Sequence, residues 1–287
     1  MINATLAPIK QSLIGLCAVA LILFVPWNAY AQMPKAVSLD YCADQYLMSL
    51  GDVSQIMAIS KYATDQFSFY EKKAKELKKF NANTEELLMM KPDVVIATDG
   101  AYNVLPTLKR YNINTISPKY GYDQKTLYEN LRYLGKALNR VSQAESIIDN
   151  YKIKWSELKK LPHQDIKIAY ITPSGYTAGT GTFINDIIKL AGYSTFSDRH
   201  KIIGWQPLSL ELLLTNPPDL IITAFFDQKD VHVSHWSLTR HPRIKNMIKE
   251  IPTLAVPNHL LSCNGLFSVE AAYYIRNNAE KLRGEPK

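Results

Sequence analysis

The sequence has little of what marks a membrane protein or a nucleic-acid-binding protein. Its one long apolar run, from Leu13 to Val25, is thirteen residues, and no other run approaches the ~18 residues of a membrane span. The formal net charge is +7, but the positive charges are spread over many separate lysines and form no basic stripe. These absences exclude a protein with several membrane spans and argue against nucleic-acid binding.

Catalytic signatures are also absent. The chain contains no G-x-S-x-G elbow, no H-E-x-x-H pair and no carboxylate pair in an obvious acid–base setting. The stretch GTGTFIND at 179–186 places glycines before a helix but lacks the Lys-Ser/Thr of a phosphate-binding loop. We interpret it as a tight turn that brings the backbone close to a ligand. We therefore expect neither enzyme activity nor a bound cofactor, and a secreted hydrolase is the weakest alternative.

The first 31 residues have the form of a secretory signal peptide. Lys10 supplies a positive charge, the apolar run follows, and "AYA" at 29–31 gives the small-x-small cleavage pattern. Cleavage after Ala31 leaves 287 − 31 = 256 residues and lowers the net charge to +6, because Lys10 is the only charged residue removed. We expect an exported, periplasmic, monomeric protein. The alternative is an uncleaved anchor, which the short run disfavours.

Beyond the leader, short apolar runs alternate with helical patterns, as in βαβ units that build a parallel sheet. Strands are predicted at 36–39, 56–60, 93–98, 113–118 and 166–171. Apolar residues from Ala144 to Leu158 recur at helical spacing without turn residues, which predicts one long, stiff helix. The predicted divisions are a signal peptide at 1–31, an N-terminal α/β lobe at 32–140, a connecting helix at 141–162 and a C-terminal α/β lobe at 163–287.

One segment occurs twice, 126 positions apart. TEELLMMKPDVVIAT at 84–98 and LELLLTNPPDLIITA at 210–224 share six identical positions of fifteen. This period is far longer than the ~20 to 50 residues of a solenoid repeat. The repeat therefore indicates a duplicated lobe.

Two lobes joined by one helix leave a cleft, and such clefts are usual sites for small molecules. Ligand contacts are expected from the loops that follow the carboxyl ends of the strands. Those loops are rich in aromatic residues, whose rings give a bulky ligand a flat contact surface. The predicted ligand-binding residues are Tyr62, Tyr102, Tyr120, Tyr122, Tyr176, Trp205 and Phe267. For each of them the alternative is burial within its own lobe.

Two cysteines remain after the leader, Cys42 and Cys263. An even number in an oxidising compartment favours a disulfide, whereas the alternative is two buried thiols that pack as small hydrophobic residues. Cys42 follows the first predicted strand and Cys263 precedes the last predicted helix. A bond between them would tie the lobes together and restrict their opening.

Five segments together resemble the periplasmic substrate-binding proteins of ABC importers for vitamin B12, ferric siderophores and haem. In order they are VSLDYCADQYLMSLGDVSQIMAIS, EELLMMKPDVVIAT, GYTAGTGTFINDIIKLAGY, GWQPLSLELLLTNPPDLII and HPRIKNM. The resemblance covers essentially the whole mature chain. It implies two Rossmann-like lobes, a rigid connecting helix, limited closure on the ligand, and delivery of a metal chelate to a membrane permease dimer. A ferric siderophore or a corrinoid is favoured over haem.

The resemblance also implies roles for single residues. Glu85 and Glu211 match the glutamates, one on each lobe, that lie seven residues before the proline of a Pro-Asp pair and dock on the permease. The alternative is that each glutamate only stabilises its own helix, since a negative charge in the first helical turn interacts favourably with the helix dipole. Trp205 and Tyr176 match cleft aromatics of the B12 binders, whereas Thr98 and Lys79 stand where those proteins carry further tryptophans.

A second class of function is direct binding of a metal ion. The segment HVSHW, with a third histidine nearby, places His232, His235 and His241 close together in sequence, and imidazoles suit zinc and related ions. No carboxylate or thiol partner is placed alongside. Three polar loop residues therefore remain the simpler interpretation, and no metal site is predicted.

Overall fold

The computed structural model describes residues 33–81, 83–98, 105–119, 121, 123–225, 242–263 and 266–284. The predicted signal peptide lies outside these residues. So do Tyr102, Tyr120 and Tyr122 of the predicted ligand set and the three histidines of the metal-ion alternative, His232, His235 and His241.

The N-terminal lobe is built on a parallel five-stranded sheet with the order β3-β2-β1-β4-β5. Its strands are β1 (Ala36–Ser38), β2 (Ile56–Ser60), β3 (Lys79–Phe80), β4 (Val94–Ile96) and β5 (Thr115–Ile116). Successive residues of β1 point to opposite faces. Ala36 accordingly lies in one buried cluster and Val37 in another on the other side of the sheet, so the sheet is covered on both faces.

Among the described residues of this lobe, five α-helices follow its strands or connect them. They are α1 (Tyr41–Leu50), α2 (Glu71–Ala74), α3 (Thr84–Met90), α4 (Leu105–Arg110) and α5 (Gln124–Ala137). The Asp40 side chain starts α1 by accepting hydrogen bonds from the backbone N–H groups of Cys42 and Ala43 at 3.1 and 2.9 Å, which satisfies donors that the helix leaves unpaired.

The predicted long helix is α6 (Val141–Lys160). Its apolar stripe is buried at Ala144, Ile148, Tyr151 and Leu158, and it packs against α5, α7 (Phe183–Leu190) and α12 (Ser268–Gly284). Because one buried cluster contains side chains from both sheets and from α6, this helix joins the lobes through packing as well as through the chain.

The C-terminal lobe repeats the design with a parallel four-stranded sheet of order β11-β10-β6-β8. Its strands are β6 (Gln164–Ile171), β8 (Tyr193–Thr195), β10 (Leu220–Thr223) and β11 (Thr253–Ala255). A separate antiparallel ribbon pairs β7 (Tyr176–Ala178) with β9 (Trp205–Pro207). The remaining helices are α8 (Phe196–Arg199), α9 (Leu210–Thr215), α10 (Pro242–Glu250) and α11 (Asn258–Leu261).

The structure is the α/β fold that the sequence predicts, with parallel sheets, flanking helices and a connecting helix between them. The strand predicted at 56–60 has the predicted bounds, and the one predicted at 166–171 begins two residues earlier. The strands predicted at 36–39, 93–98 and 113–118 are present but shorter. The ribbon of β7 and β9 was not predicted, because three-residue strands carry too little pattern to be recognised. No helix among the described residues is both long and apolar enough for a membrane span.

Candidate functional site

Parallel strands place their carboxyl ends at one edge of a sheet, where ligands bind in open α/β folds. In this chain the two such edges face each other. Cys42, just after β1, is joined by a disulfide to Cys263, which follows α11, with the Cα atoms 5.2 Å apart. The space between the two edges is the cleft that the sequence predicts.

The C-terminal lobe presents two aromatic rings at the cleft. Ala178 pairs with Trp205 and Tyr176 with Pro207 across the β7–β9 ribbon, so Tyr176 and Trp205 lie diagonally on the same face. Their exposed fractions are 42% and 40%, high for large aromatic residues. The ribbon therefore places two predicted ligand-binding residues side by side and leaves both rings accessible.

Tyr170, near the end of β6, packs against Trp205 of this pair. Its ring meets that of Trp205 edge to face at 6.0 Å, and burial raises the pKa of its hydroxyl far above the ordinary value. Tyr170 was not among the predicted residues. The signal was there, since it is the last aromatic residue of a strand that ends at the cleft, but its position within an apolar run is equally typical of core.

The N-terminal lobe contributes Tyr62, which follows β2 and is 47% exposed. The ammonium of Lys61 lies over its ring, 5.0 Å from the centroid, an arrangement that favours the cation through the ring quadrupole. Thr98, where the resemblance would place a tryptophan, is instead bound to Asp40. Its backbone N–H and hydroxyl donate to the two Asp40 carboxylate oxygens at 2.6 and 2.7 Å.

A buried carboxyl lies beneath this edge. Asp44 in α1 accepts hydrogen bonds from the Ser38 hydroxyl, from the Ser60 backbone N–H at 2.8 Å and from the Ser60 hydroxyl at 2.6 Å. Desolvation raises the pKa of Asp44 from 3.8 to about 6, and the hydrogen bonds from the two serines offset part of that rise. Sequence reasoning missed this group because its serine partners come from two different strands.

Phe267 differs from its predicted role. Its ring is only 5% exposed and is stacked on Phe69 with the centroids 3.9 Å apart, while Tyr70 meets it edge to face at 6.0 Å. Phe69 and Tyr70 belong to the N-terminal lobe and Phe267 to the C-terminal lobe. The ring therefore packs between the lobes, close in sequence to the disulfide, and is far less exposed than Tyr176 or Trp205.

Glu85 and Glu211 occupy equivalent places on the two lobes. Each lies in the first turn of a helix, α3 or α9, and each is exposed. Asn83 caps α3 by accepting from the Glu85 backbone N–H at 2.9 Å, and Ser209 caps α9 by accepting from the Leu212 N–H at 3.2 Å. Neither carboxylate is required for these caps, so both remain available to a partner.

The Pro-Asp pair of the repeat has a structural role in both lobes. The Asp93 carboxylate accepts from the Lys35 backbone N–H at 2.8 Å, and the Asp219 carboxylate accepts from the Lys167 N–H at 2.7 Å. Lys35 directly precedes β1, and Lys167 lies in β6. Repetition of the segment thus preserves a join between neighbouring strands as well as the exposed glutamate.

A cavity lies beside the connecting helix. It has a volume of about 630 Å³ and is lined by Tyr151, Trp155 and Phe183 among others, but by none of Tyr62, Tyr176 and Trp205. Within the part of the chain that the structure describes, no group of three histidine, cysteine or acidic residues is placed to hold a metal ion. The exposed aromatic rings at the described cleft edge are those of Tyr62, Tyr176 and Trp205.

Comparison with known families agrees with this architecture. The model of the periplasmic binding protein family matches residues 37–247. The chain belongs to the periplasmic binding protein family. Among solved structures, the periplasmic haem-binding protein HutB of Vibrio cholerae superposes with a TM-score of 0.69 at 18% identity, over 86% of this chain and 98% of that one. At that identity the likeness concerns the fold.

The chain is also similar in sequence to individual proteins of this kind. The vitamin B12-binding protein of Pectobacterium atrosepticum is 26% identical over 278 residues, covering 90% of this chain and 92% of its own. An ABC transporter substrate-binding lipoprotein of Bacillus subtilis, YvrC, is 22% identical over 192 residues, covering 62% of this chain. The chain spans 59% of that lipoprotein's length and 53% of the cobalamin-binding protein of Halobacterium salinarum.

Proposed function

We propose that this protein is the periplasmic substrate-binding component of an ABC importer. It binds a metal chelate in the cleft between its lobes, a ferric siderophore or a corrinoid in preference to haem, and delivers the chelate to a membrane permease dimer. The observation that carries the proposal is the pair of exposed rings, Tyr176 and Trp205, on one face of a ribbon at the cleft edge. The names of the relatives, vitamin B12-binding and haem-binding proteins among them, support the ligand class.

Aromatic rings suit such ligands because a macrocycle, or a single catechol ring of a siderophore, offers a flat and largely apolar face for stacking. Tyr and Trp give large contact areas with few rotatable bonds, so little conformational entropy is lost on binding. Export before cleavage after Ala31 would bring the chain to the compartment where such chelates arrive. The protein acts there by binding and release, without chemistry on the chelate.

The test is titration of the mature protein with cyanocobalamin, haemin and a panel of ferric siderophores. One of them is expected to quench Trp205 fluorescence and, at a hundredfold excess over Kd, to stabilise the fold by about 3 kcal/mol. Trp205→Ala should weaken that ligand at least ~10-fold, as loss of a central aromatic contact does. Tyr133→Ala, which removes an exposed ring of α5, is the matched control and should bind normally.

The alternative is direct binding of a metal ion through His232, His235 and His241. It becomes the better account if every chelate leaves the fluorescence and the melting temperature unchanged while zinc raises the melting temperature. That result would overturn the chelate proposal.

Docking on the permease is the second half of the proposal. Two exposed carboxylates at equivalent positions on two similar lobes, Glu85 and Glu211, match the symmetry of a permease dimer. Each carboxylate would meet an arginine in a charge-assisted pair. A rigid relation between the lobes, which α6 and the disulfide provide, keeps the two carboxylates at a fixed separation suited to such docking.

A further inference from the structure

The cavity beside the connecting helix has walls from both lobes. They are formed by α5 of the N-terminal lobe, by α7 and α12 of the C-terminal lobe, and by α6 between them. The volume of about 630 Å³ lies within the ~300 to 1,000 Å³ of small-molecule sites, which are common where lobes meet. The cavity therefore has the size and the position of a ligand site.

The interior of this cavity is apolar. Leu127 of α5, Leu158 of α6 and Ile187 of α7 line it and are buried, as are the rings of Tyr151 and Phe183. Protein interiors leave few voids larger than a water molecule. A recess of this size between buried apolar side chains is therefore typical of a binding site for an apolar group.

Hydrogen bonds to α12 position the helices on either side of the cavity. The Tyr151 hydroxyl of α6 is hydrogen-bonded to the Ser268 hydroxyl of α12. Arg276 of α12 donates to the carbonyl oxygens of Pro162, just after α6, and Ala191, just after α7, at 3.1 and 3.4 Å. Because α6 and α7 are each fixed to a third helix, these bonds do not draw them together over the cavity.

The charged side chains of the lining are three lysines against two aspartates, which leaves one positive charge in excess. They are Lys125, Lys159, Lys189, Asp123 and Asp186. Lys189 pairs with Asp186 at 3.7 Å. The Asp123 carboxylate caps α5 by accepting from the Thr126 backbone N–H and hydroxyl, both at 2.9 Å. Both aspartates thus have partners within the protein.

Lys125 and Lys159 remain without an acidic partner. Both are exposed, and neither forms an ion pair with a residue in the described part of the chain. The Lys159 ammonium lies over the Trp155 ring, 5.8 Å from the centroid. Lys125 lies in the first turn of α5, where the helix dipole disfavours a positive charge and favours a negative one. An anionic group at the rim of the cavity would compensate this unfavourable placement.

We propose that the cavity beside α6 is a second binding site, which takes a small molecule with an apolar body and one anionic group. The apolar body lies against the buried walls, and the anionic group lies near Lys125 and Lys159. The inference is independent of the chelate site, because none of Tyr62, Tyr176 and Trp205 lines the cavity. An occupant contacts helices of both lobes and so stabilises their arrangement.

The test is isothermal titration calorimetry of the mature protein with three probes. Decanoate and naphthalene-1-carboxylate carry one negative charge on an aliphatic and an aromatic body, and the one that binds more tightly identifies the body that the walls prefer. Decyltrimethylammonium carries a positive charge on the same chain as decanoate. At least one carboxylate is expected to bind with one molecule per protein, and decyltrimethylammonium to bind at least ~10-fold more weakly than that carboxylate.

Two pairs of lysine substitutions test the role of charge at the rim. Lys125→Gln/Lys159→Gln should weaken the bound carboxylate about 5-fold, as loss of two exposed charge interactions does. Lys136→Gln/Lys160→Gln removes two exposed lysines outside the lining and is the matched control, expected to bind as wild type does.

Two further variants locate the bound carboxylate. Ile187→Trp enlarges a wall residue and should abolish binding, and the lysine pair keeps the test decisive if this variant does not fold. Trp205→Ala, in the chelate cleft, should leave the carboxylate affinity unchanged.

The inference is overturned if neither carboxylate binds one to one, if decyltrimethylammonium binds equally well, or if the Lys125/Lys159 variant or a folded Ile187→Trp binds normally. Loss of carboxylate binding in Trp205→Ala also overturns it, because the carboxylate then lies in the chelate cleft. None of these outcomes affects the proposed function. If every chelate fails to bind while a carboxylate behaves as described, the proposed function fails and this inference stands.

Discussion

At the scale of single residues, Asp44 shows how the cleft edge is held together at an energetic cost. Its carboxyl is buried and bound by Ser38 and Ser60, at the ends of β1 and β2, so it joins two neighbouring strands to α1. Burial of a charged carboxylate is unfavourable even with such partners. The raised pKa of about 6 expresses that cost.

Asp44→Asn tests this account through the dependence of stability on pH. The pKa of Asp44 is raised from 3.8 to about 6 in the folded state, so the folded protein binds more protons between these values. The wild-type free energy of unfolding therefore falls as pH rises from about 4 to about 6, by about 2 to 3 kcal/mol from this group. An asparagine side chain does not ionise in this pH range, so the unfolding free energy of the variant lacks this fall.

Urea unfolding of both proteins at pH 4, 5, 6 and 7 provides the measurement. The variant minus wild-type difference in unfolding free energy should rise by the same 2 to 3 kcal/mol across this range. A difference that stays constant with pH would show that Asp44 does not titrate as described.

At the scale of elements, the join between the lobes depends on the close approach of α5 and α6. Gly135 of α5 is the contact point. A Cβ added there would lie 2.6 Å from the Ala144 Cβ of α6 and 3.2 Å from the Arg140 carbonyl oxygen. The first distance is too short for two carbon atoms and the second is tight, so an alanine here would force α5 and α6 apart.

Gly135→Ala is therefore expected to destabilise the protein by about 1 to 3 kcal/mol, the cost of overpacking a dense contact. In an unobstructed helix the same change would stabilise by about 1 kcal/mol, so the sign of the effect distinguishes the two cases. The control is Lys136→Ala at the exposed neighbouring position, expected within about 0.5 kcal/mol of wild type. Equilibrium urea unfolding measures all three proteins, and a more stable Gly135→Ala would contradict the packing described.

At the scale of the whole molecule, the two lobes share one buried cluster and a disulfide, and each presents an exposed glutamate at the equivalent position. Glu85→Ala/Glu211→Ala should leave the ligand affinity and the melting temperature close to wild type, because each side chain contributes only a few tenths of a kcal/mol to its helix through the dipole. Uptake through the cognate permease should fall strongly, since each lost carboxylate leaves a partner charge unpaired at the docking surface.

Uptake of labelled ligand by cells that carry the variant is the readout. Glu76→Ala/Asp149→Ala removes two exposed carboxylates outside the repeat and is the matched control for net charge. Normal transport by the Glu85/Glu211 variant, or loss of its ligand binding, would show that the repeated glutamates serve the fold of each lobe alone.

The sequence by itself determined the α/β class, the long connecting helix and the duplicated segment. These follow from periodicity, because buried strands and amphipathic helices must place apolar residues at fixed intervals. The apolar stripe from Ala144 to Leu158 lies buried in α6 as its spacing predicts. The family could also be recognised from the sequence, because the order and spacing of five segments together resemble it where no single residue is decisive.

Only the tertiary structure decided which aromatic residues face the cleft. Trp205 and Phe267 look alike in sequence, yet the first is 40% exposed and the second 5%, because Phe69 from the other lobe covers Phe267. The hydrogen bonds of the Asp44 carboxyl and the disulfide between Cys42 and Cys263 likewise depend on residues from different elements of the chain. Periodicity indicates which face of its own helix or strand a residue occupies. A contact between residues 221 positions apart forms only when the whole chain has packed.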